Sequence, residues 1–143
     1  MKHLEFLTDY KDKVSRPANF WQIDKHDIPA TPGVYLLIAE PSFRFHYPAG
    51  WSPIYYIGQT QSLRRRLTGH RRWHLKARSD NRGYAVLEPR HEYGAKFGGR
   101  YCFIETWRGR TAKSLEDIFL GDFARFYHAF PVANGAGAWR RLD

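Results

Sequence analysis

The sequence is poor in cysteine, in acidic residues and in long hydrophobic runs. Its one cysteine, Cys102, cannot form an internal disulfide, and we expect a small buried hydrophobic residue in a strand. No apolar run approaches the ~18 residues of a membrane-spanning helix. Residues 1–7 lack the apolar stretch of a signal peptide. These absences exclude disulfide-rich and membrane-spanning classes, and they favour a cytoplasmic protein that does not bind membranes.

Basic residues outnumber acidic ones in this chain. Lys and Arg total 23 against 14 Asp and Glu, a formal net charge of +9. A small domain this basic predicts a polyanionic partner, although a solvated basic surface without such a role is the alternative. Aromatic residues make up 17% of the chain, and those near the charges, Trp73 and Tyr84, either stack on bases or fill the core. The expected nucleic-acid-binding residues are Arg64, Arg65, Arg71, Arg72 and Lys76.

The chain length of 143 residues suits one compact domain, residues 1–143. We expect its core at about 31–135 and a helical extension over 1–30, where Leu4, Leu7 and Val14 give a modest helical pattern. No internal repeat and no domain boundary is visible.

Apolar patterning predicts the order helix, strand, strand, helix, strand, helix. β-Branched and aromatic runs indicate strands, and apolar residues at helical spacing after a capping residue indicate helices. Strands are expected at about 33–40, 53–58 and 100–107, and helices at about 3–14, 62–77 (capped by Ser62) and 112–128 (capped by Thr111, preferred to Ser114). Segments 41–52 and 78–99 are expected to be long connections. The fold class that follows is α/β (α+β), with a small three-stranded, mainly antiparallel sheet flanked by helices.

Two tyrosine motifs and the helix after them form an ordered set. Gly33-Val34-Tyr35 opens the first strand, and Tyr56-Ile57-Gly58 ends the second. An arginine follows Tyr56 by ten residues, and a histidine lies one helical turn beyond it on the same face. Together with a glutamate in the last helix and an asparagine after it, this set resembles the GIY-YIG nuclease family over roughly residues 31–135. The further members of the set are Arg66, His70, Glu116 and Asn134.

This resemblance implies a stand-alone, single-domain endonuclease. Such an enzyme hydrolyses phosphodiester bonds in nucleic acid, here DNA before RNA, with a divalent metal ion, Mg²⁺ or Mn²⁺. One tyrosine orients or deprotonates the attacking water, and Tyr35 is favoured as the base with Tyr56 as its support. A phenol has a pKa near ~10, so this role requires neighbouring positive charge. The implied catalytic residues are Tyr35, Tyr56, Arg66, His70, Glu116 and Asn134.

The other catalytic residues have roles that fit their chemistry. The planar guanidinium of Arg66 suits a phosphate oxygen. His70 hydrogen-bonds a phosphate or a tyrosine hydroxyl, or relays a proton. Glu116 is the expected metal ligand, with Asp117 and Glu105 as rivals. The resemblance gives Asn134 a supporting hydrogen bond, although Asn134-Gly135 is also typical of an ordinary turn.

The sequence also departs from the family pattern. Val34 replaces the middle isoleucine, which changes little in packing. Gln59 stands where some relatives have a lysine, which leaves Arg64 or Arg65 as a substitute cation. The single acidic ligand and the lack of HxH or CxxC clusters argue against a two-metal nuclease or a zinc site. His74 extends the stripe of Arg66 and His70 and is expected to be solvated or to face DNA.

Two other classes of function remain open from the sequence. One is a non-catalytic nucleic-acid-binding module on the same scaffold, because phosphate contacts need no catalysis. The other is a basic adaptor that binds a protein through residues 41–52. Specificity is expected to come from the long connections, from a homodimer or from a separate specificity partner.

Overall fold

A computed structural model of the protein describes residues 2–79 and 88–134. It is a mixed α/β structure with antiparallel sheets, which confirms the predicted class at that level. The predicted aromatic contact at Tyr84 lies outside the described residues. No helix in the described ranges is long and apolar enough to cross a membrane.

The main sheet has four strands, one more than predicted. They are β1 (Ala18–Asn19), β2 (Gly33–Ala39), β5 (Ile54–Thr60) and β6 (Gly98–Glu105), in the spatial order β1-β6-β2-β5, with every pair antiparallel. The predicted hairpin of β2 and β5 is therefore confirmed. The sequence did not indicate β1, because two exposed residues have no strand periodicity and pair only with the edge of β6.

The connection between β2 and β5 contains a second, two-stranded sheet. It pairs β3 (Phe45–Tyr47) with β4 (Gly50–Ser52). Phe45 and Tyr47 are buried, and the Tyr47 hydroxyl donates to the Ile54 carbonyl oxygen at 2.7 Å. The connection thus folds back onto the start of β5 and covers core residues.

Three α-helices complete the fold: α1 (Leu63–Arg78), α2 (Pro89–Phe97) and α3 (Ala112–Tyr127). Both predicted caps are confirmed. The Ser62 hydroxyl accepts from the Arg65 amide, and Thr111 shares a reciprocal capping box with Ser114. The prediction of an extended connection over 78–99 is wrong for α2, where Pro89 in the first turn has the backbone angle of a helix start.

The predicted N-terminal helix is also wrong. Residues 2–30 contain three short 3-10 turns, Lys2–Leu4, Lys11–Lys13 and Lys25–Asp27. Tyr10, between the first two, has a left-handed backbone (φ 69°) that interrupts helical geometry. Apolar side chains of this segment instead pack as separate anchors, with the ring centroids of Phe6 and Phe123 5.1 Å apart. Packing against α3 therefore determines the conformation of this N-terminal segment.

Both faces of the main sheet are covered. All seven residues of β2 are buried, and successive side chains of a strand point to opposite faces. Helices α1 and α2 pack against each other on the face of Tyr35, while α3 packs against β2 and β5. Cys102 of β6 is fully buried, and burial raises the pKa of its thiol to about 12, as expected for an inert hydrophobic residue.

Candidate active site

The first tyrosine of the motif is fixed against helix α1. The Tyr35 hydroxyl lies 2.7 Å from Nε2 of His70, and both side chains are buried. Gly58 lies opposite Tyr35 in the register of β2 and β5, and a Cβ there would come within 2.5 Å of the Tyr35 hydroxyl oxygen. A glycine at position 58 is therefore needed for this tyrosine to reach the histidine.

The second tyrosine lies on the same face, closer to solvent. The ring centroid of Tyr56 is 6.0 Å from that of Tyr35 and 6.1 Å from that of His70. Tyr56 is half-buried, and the Arg90 guanidinium lies 5.4 Å from its ring centroid. The two motif tyrosines and the motif histidine thus form one cluster with an arginine beside it.

Burial controls the ionisation of this cluster. It raises the pKa of Tyr35 well above its ordinary value, and the neighbouring Tyr56 adds to the effect. Burial also lowers the pKa of His70 well below its ordinary value, and the positive charge of Arg90 lowers it further. Tyr35 is consequently a protonated phenol and His70 a neutral imidazole near neutral pH. This geometry opposes Tyr35 as the base, because its hydroxyl has no solvent access.

A basic cleft opens beside the cluster, with a volume of about 500 Å³. His70 and His91 form part of its wall, and half-exposed Trp73 lies at its edge. The cations that line it come from α1 and α2: Arg65, Arg66, Arg72 and Arg90. The cleft therefore combines positive charge, imidazole and one aromatic face, a combination suited to a phosphate group with an attached base.

The remaining predicted basic residues are Arg64, Arg71 and Lys76. Arg64 and Arg71 are tied to backbone carbonyl oxygens, Arg64 to Ile28 at 2.8 Å and Arg71 to Ile23 at 3.3 Å. Lys76 lies 4.7 Å from the ring centroid of Trp73. A second groove, adjacent to the cleft, is lined by Arg71, Arg72 and Lys76. The run of charges therefore forms a continuous basic surface, while some of its members also hold α1 to the loop before β2.

Glu116 and Asn134 lie apart from the cleft lining. Glu116 is buried in α3 with an exposed fraction of 5%, and its side chain has an interaction partner. Asn134 clasps β5, because its side-chain oxygen accepts from the Ile57 amide at 3.1 Å and its nitrogen donates to the Ile57 carbonyl at 2.8 Å. Asn134 thus braces the strand that carries Tyr56, and among the described residues no carboxylate lines the cleft.

A second tyrosine–histidine pair lies deeper along α1. His74 is fully buried, so the expectation of a solvated or DNA-facing residue is wrong. Its Nε2 lies 3.1 Å from the Tyr55 hydroxyl, and its Nδ1 lies 3.2 Å from Nδ1 of His91. One ring nitrogen from each of His70, His74 and His91 lies within 4.8 Å of the other two. The absence of HxH and CxxC patterns therefore did not exclude a histidine cluster.

Sequence reasoning missed Arg90 and His91, because both lie on α2. Pro89 in a first helical turn was an available signal for that helix. The spacing of His70 and His74, four residues apart in a helix, also places two imidazoles on one face. The approach of α2 depends on Gly94, since a Cβ there would come within 1.8 Å of the His74 ring.

Comparisons of the chain with protein-family models, with curated proteins and with solved structures found no match.

Proposed function

We propose that the protein is a metal-dependent endonuclease of the GIY-YIG type, built on a GIY-YIG-like sheet formed by β6, β2 and β5. The observation that carries the proposal is the cluster of Tyr35, Tyr56 and His70 beside a cleft lined by four arginines. The substrate that fits this cleft is a nucleic acid, with DNA favoured over RNA.

The cleft supplies charge for a phosphodiester. Arg66 and Arg90 both line it, and their positive charges also act on Tyr35 and His70. A guanidinium can donate two parallel hydrogen bonds to phosphate oxygens, which fixes the orientation of the group as well as neutralising it. Arg66 is thus the phosphate ligand of the proposal, and Arg90 joins it from α2.

We assign the attacking water to Tyr56 rather than to Tyr35, because Tyr56 is half-buried whereas Tyr35 is fully buried. The Tyr56 ring lies next to the Arg90 guanidinium and the cleft wall formed by His70. In this proposal the Tyr56 hydroxyl oxygen accepts the proton of the attacking water. The hydroxyl of Tyr35 is buried and held by His70, so Tyr35 is a positioning residue that fixes the imidazole.

Glu116 matches a divalent metal ion in one respect, which is that its carboxylate offers oxygen donor atoms. Carboxylate oxygen is a preferred ligand of Mg²⁺, and the remaining ligands of such an ion come from water and the substrate. Glu116 would hold the Mg²⁺ or Mn²⁺ ion, which would supply polarisation of the phosphate and stabilisation of the leaving oxygen. Glu116 is buried in α3 and lies outside the cleft lining, so its assignment to the ion rests on the motif resemblance and on the type of its donor atoms.

A non-catalytic nucleic-acid-binding module is the second candidate function. The observation that favours it is the lining of the cleft, which contains cations, imidazole and Trp73 but no carboxylate among the described residues. Such a surface binds phosphates without any need for turnover.

The test is a cleavage assay on labelled single- and double-stranded DNA and RNA, with Mg²⁺, Mn²⁺ or EDTA. We expect cleavage that requires the metal and is lost in Glu116→Gln, which retains the shape of the side chain. Asp117→Asn tests the rival ligand, because Asp117 is exposed, adjacent to Glu116 and paired with Lys113 at 3.7 Å. Asp117→Asn is expected to cleave normally.

The outcomes separate the two candidate functions. Full activity in both Glu116→Gln and Arg66→Ala would contradict the assignment of these residues. Salt-sensitive binding of every substrate with no cleavage under any metal condition would instead support the binding module.

A further inference from the structure

Three buried histidines meet where α2 crosses α1. His70 and His74 lie one turn apart on α1, and His91 comes from the first turn of α2. Their exposed fractions are 3%, 0% and 5%. Clusters of neutral imidazoles in a protein interior are uncommon without a shared proton or a shared ion, because each ring brings polar nitrogens that need partners.

The spacing of the ring nitrogens suits one metal ion. Two nitrogens bound at ~2.0–2.1 Å to a tetrahedral zinc ion lie about 3.3 Å apart. Nδ1 of His74 and Nδ1 of His91 are 3.2 Å apart. The ligand nitrogen of the third histidine lies within 4.8 Å of the other two, so metal binding requires it to approach by up to about 1.5 Å.

The third histidine has one nitrogen left for a ligand role. Nε2 of His70 is engaged with the Tyr35 hydroxyl at 2.7 Å. Its Nδ1 is buried, and no hydrogen-bond partner for it exists among the described residues. A buried ring nitrogen without a partner costs free energy, and coordination of a metal ion is one way to satisfy it.

The outer partners of two rings match those of metal ligands. A metal-binding histidine ordinarily donates its other ring N–H to a fixed acceptor, which sets the tautomer. Nε2 of His70 and Nε2 of His74 each face a tyrosine hydroxyl, at 2.7 Å and 3.1 Å. If each Nε2–H donates to its tyrosine, each Nδ1 presents a lone pair.

We propose that His70, His74 and His91 form a transition-metal site that holds Zn²⁺ through three imidazole nitrogens, with a water or a phosphate oxygen as fourth ligand. Imidazole sets suit Zn²⁺, Cu²⁺, Ni²⁺ and Co²⁺, whereas Mg²⁺ prefers oxygen. His70 and His91 also line the basic cleft, so a fourth ligand can come from that side. This site is separate from the carboxylate Glu116 and does not depend on nuclease activity.

The alternative is a metal-free hydrogen-bond network. In that case one Nδ1–H of His74 or His91 donates to the other, and the His70 carbonyl oxygen is a further acceptor for the His74 ring. Such a network leaves Nδ1 of His70 without a partner. It also predicts no uptake of metal, so a binding experiment separates the two cases.

The experiment uses full-length protein without a polyhistidine tag. After dialysis against a chelator, Co²⁺ is added and the visible absorption of the tetrahedral ion is followed. Zn²⁺ is then added to displace it. We expect one equivalent of Co²⁺ to bind, one equivalent of Zn²⁺ to displace it, and Mg²⁺ to leave the spectrum unchanged.

Two ligand variants and one control locate the site. His74→Gln and His91→Gln should weaken Co²⁺ binding at least about 100-fold, since loss of an outer partner alone typically costs 10–100-fold. His26→Gln is the matched control, because His26 is exposed in a separate 3-10 turn, and it should bind normally.

A third variant covers the case in which the ligand variants do not fold. Tyr55→Phe removes only the hydroxyl that faces His74, and it should weaken Co²⁺ binding about tenfold. Absence of a tetrahedral spectrum in wild-type protein would overturn the proposal. Unchanged binding in folded His74→Gln, His91→Gln and Tyr55→Phe would overturn it equally, while cleavage activity bears on neither result.

Discussion

The two tyrosine–histidine pairs have the same chemistry and different surroundings. The hydroxyl-to-Nε2 distance is 2.7 Å for Tyr35 with His70 and 3.1 Å for Tyr55 with His74, one turn further along α1. The first pair adjoins the basic cleft. The second lies in the interior, where the ring of Phe20 is 4.8 Å from that of His74. Both pairs are buried, and the position of His70 in the cleft wall makes the outer pair the candidate catalytic element.

The largest expected effect is on the cleavage rate, and it distinguishes the arginine beside the outer pair from the arginine beside the inner pair. Arg66 acts on Tyr35 and His70, whereas Arg78 acts on His74. Arg66→Ala should lower the proposed cleavage rate about 10²–10³-fold, because it removes the proposed phosphate ligand in the cleft. Arg78→Ala should change that rate no more than about twofold. Cleavage rates at saturating substrate measure both, and equal losses would remove the distinction between the pairs.

The second prediction concerns a substitution that disturbs only the inner pair, Tyr55 with His74. Gly94→Ala brings a methyl group within 1.8 Å of the His74 ring, so α2 must move away from α1. We expect the free energy of unfolding to fall by about 3 kcal/mol, the upper range for overpacked sites.

The control for that variant is another helical glycine. A Cβ at Gly69 would meet nothing within 4 Å, so Gly69→Ala should stabilise the protein by about 0.5–1 kcal/mol. Urea denaturation measures both variants. A neutral Gly94→Ala would mean that α2 does not depend on this close approach.

The third prediction concerns pH. Burial lowers the pKa of His74 to about 3, below its ordinary value of 6.5. The unfolded chain therefore binds the proton first, and stability is complete above about pH 6.5 and declines as the pH falls towards about 3. Between about pH 7.5 and about pH 5 this one ring should cost about 2 kcal/mol. Denaturation of His74→Gln in a chelator should show a shallower decline, and an identical slope would contradict burial of a neutral His74.

The smallest expected effect compares the two hydroxyls directly. Tyr35→Phe and Tyr55→Phe should each cost about 1 kcal/mol of stability, because each leaves one imidazole nitrogen without its partner. Only Tyr35→Phe should also lower cleavage, since His70 is part of the cleft wall. Loss of cleavage in Tyr55→Phe with Tyr35→Phe unaffected would reverse the comparison.

The sequence predicted the parts of the site that depend on local patterns. β2, β5 and α1 follow from apolar runs and from the Ser62 cap, and the helical spacing of Arg66 and His70 places both on one face of α1. The resemblance to a known motif order added Tyr35 and Tyr56 to the same cluster. These features need only the geometry of a strand and a helix.

The other half of the site depends on contacts that local patterns do not encode. Arg90 and His91 reach the cluster only because α2 docks on α1, and that docking needs Gly94. The burial of His74 likewise depends on Tyr55 and Phe20, which come from segments far along the chain. Tertiary packing, rather than propensity, decides these positions.

The two hydrogen bonds between the Asn134 side chain and Ile57 also cover the exposed edge of the main sheet. β5 is an edge strand, and an edge with unpaired amides and carbonyls is a template on which another chain can add a strand. The Ala133 amide donates to the Tyr55 carbonyl, and the Asn134 side chain occupies both backbone groups of Ile57. The backbone groups on either side of Tyr56 are therefore not available to a second copy of the chain. Self-association by strand addition at this edge first requires displacement of the segment after α3.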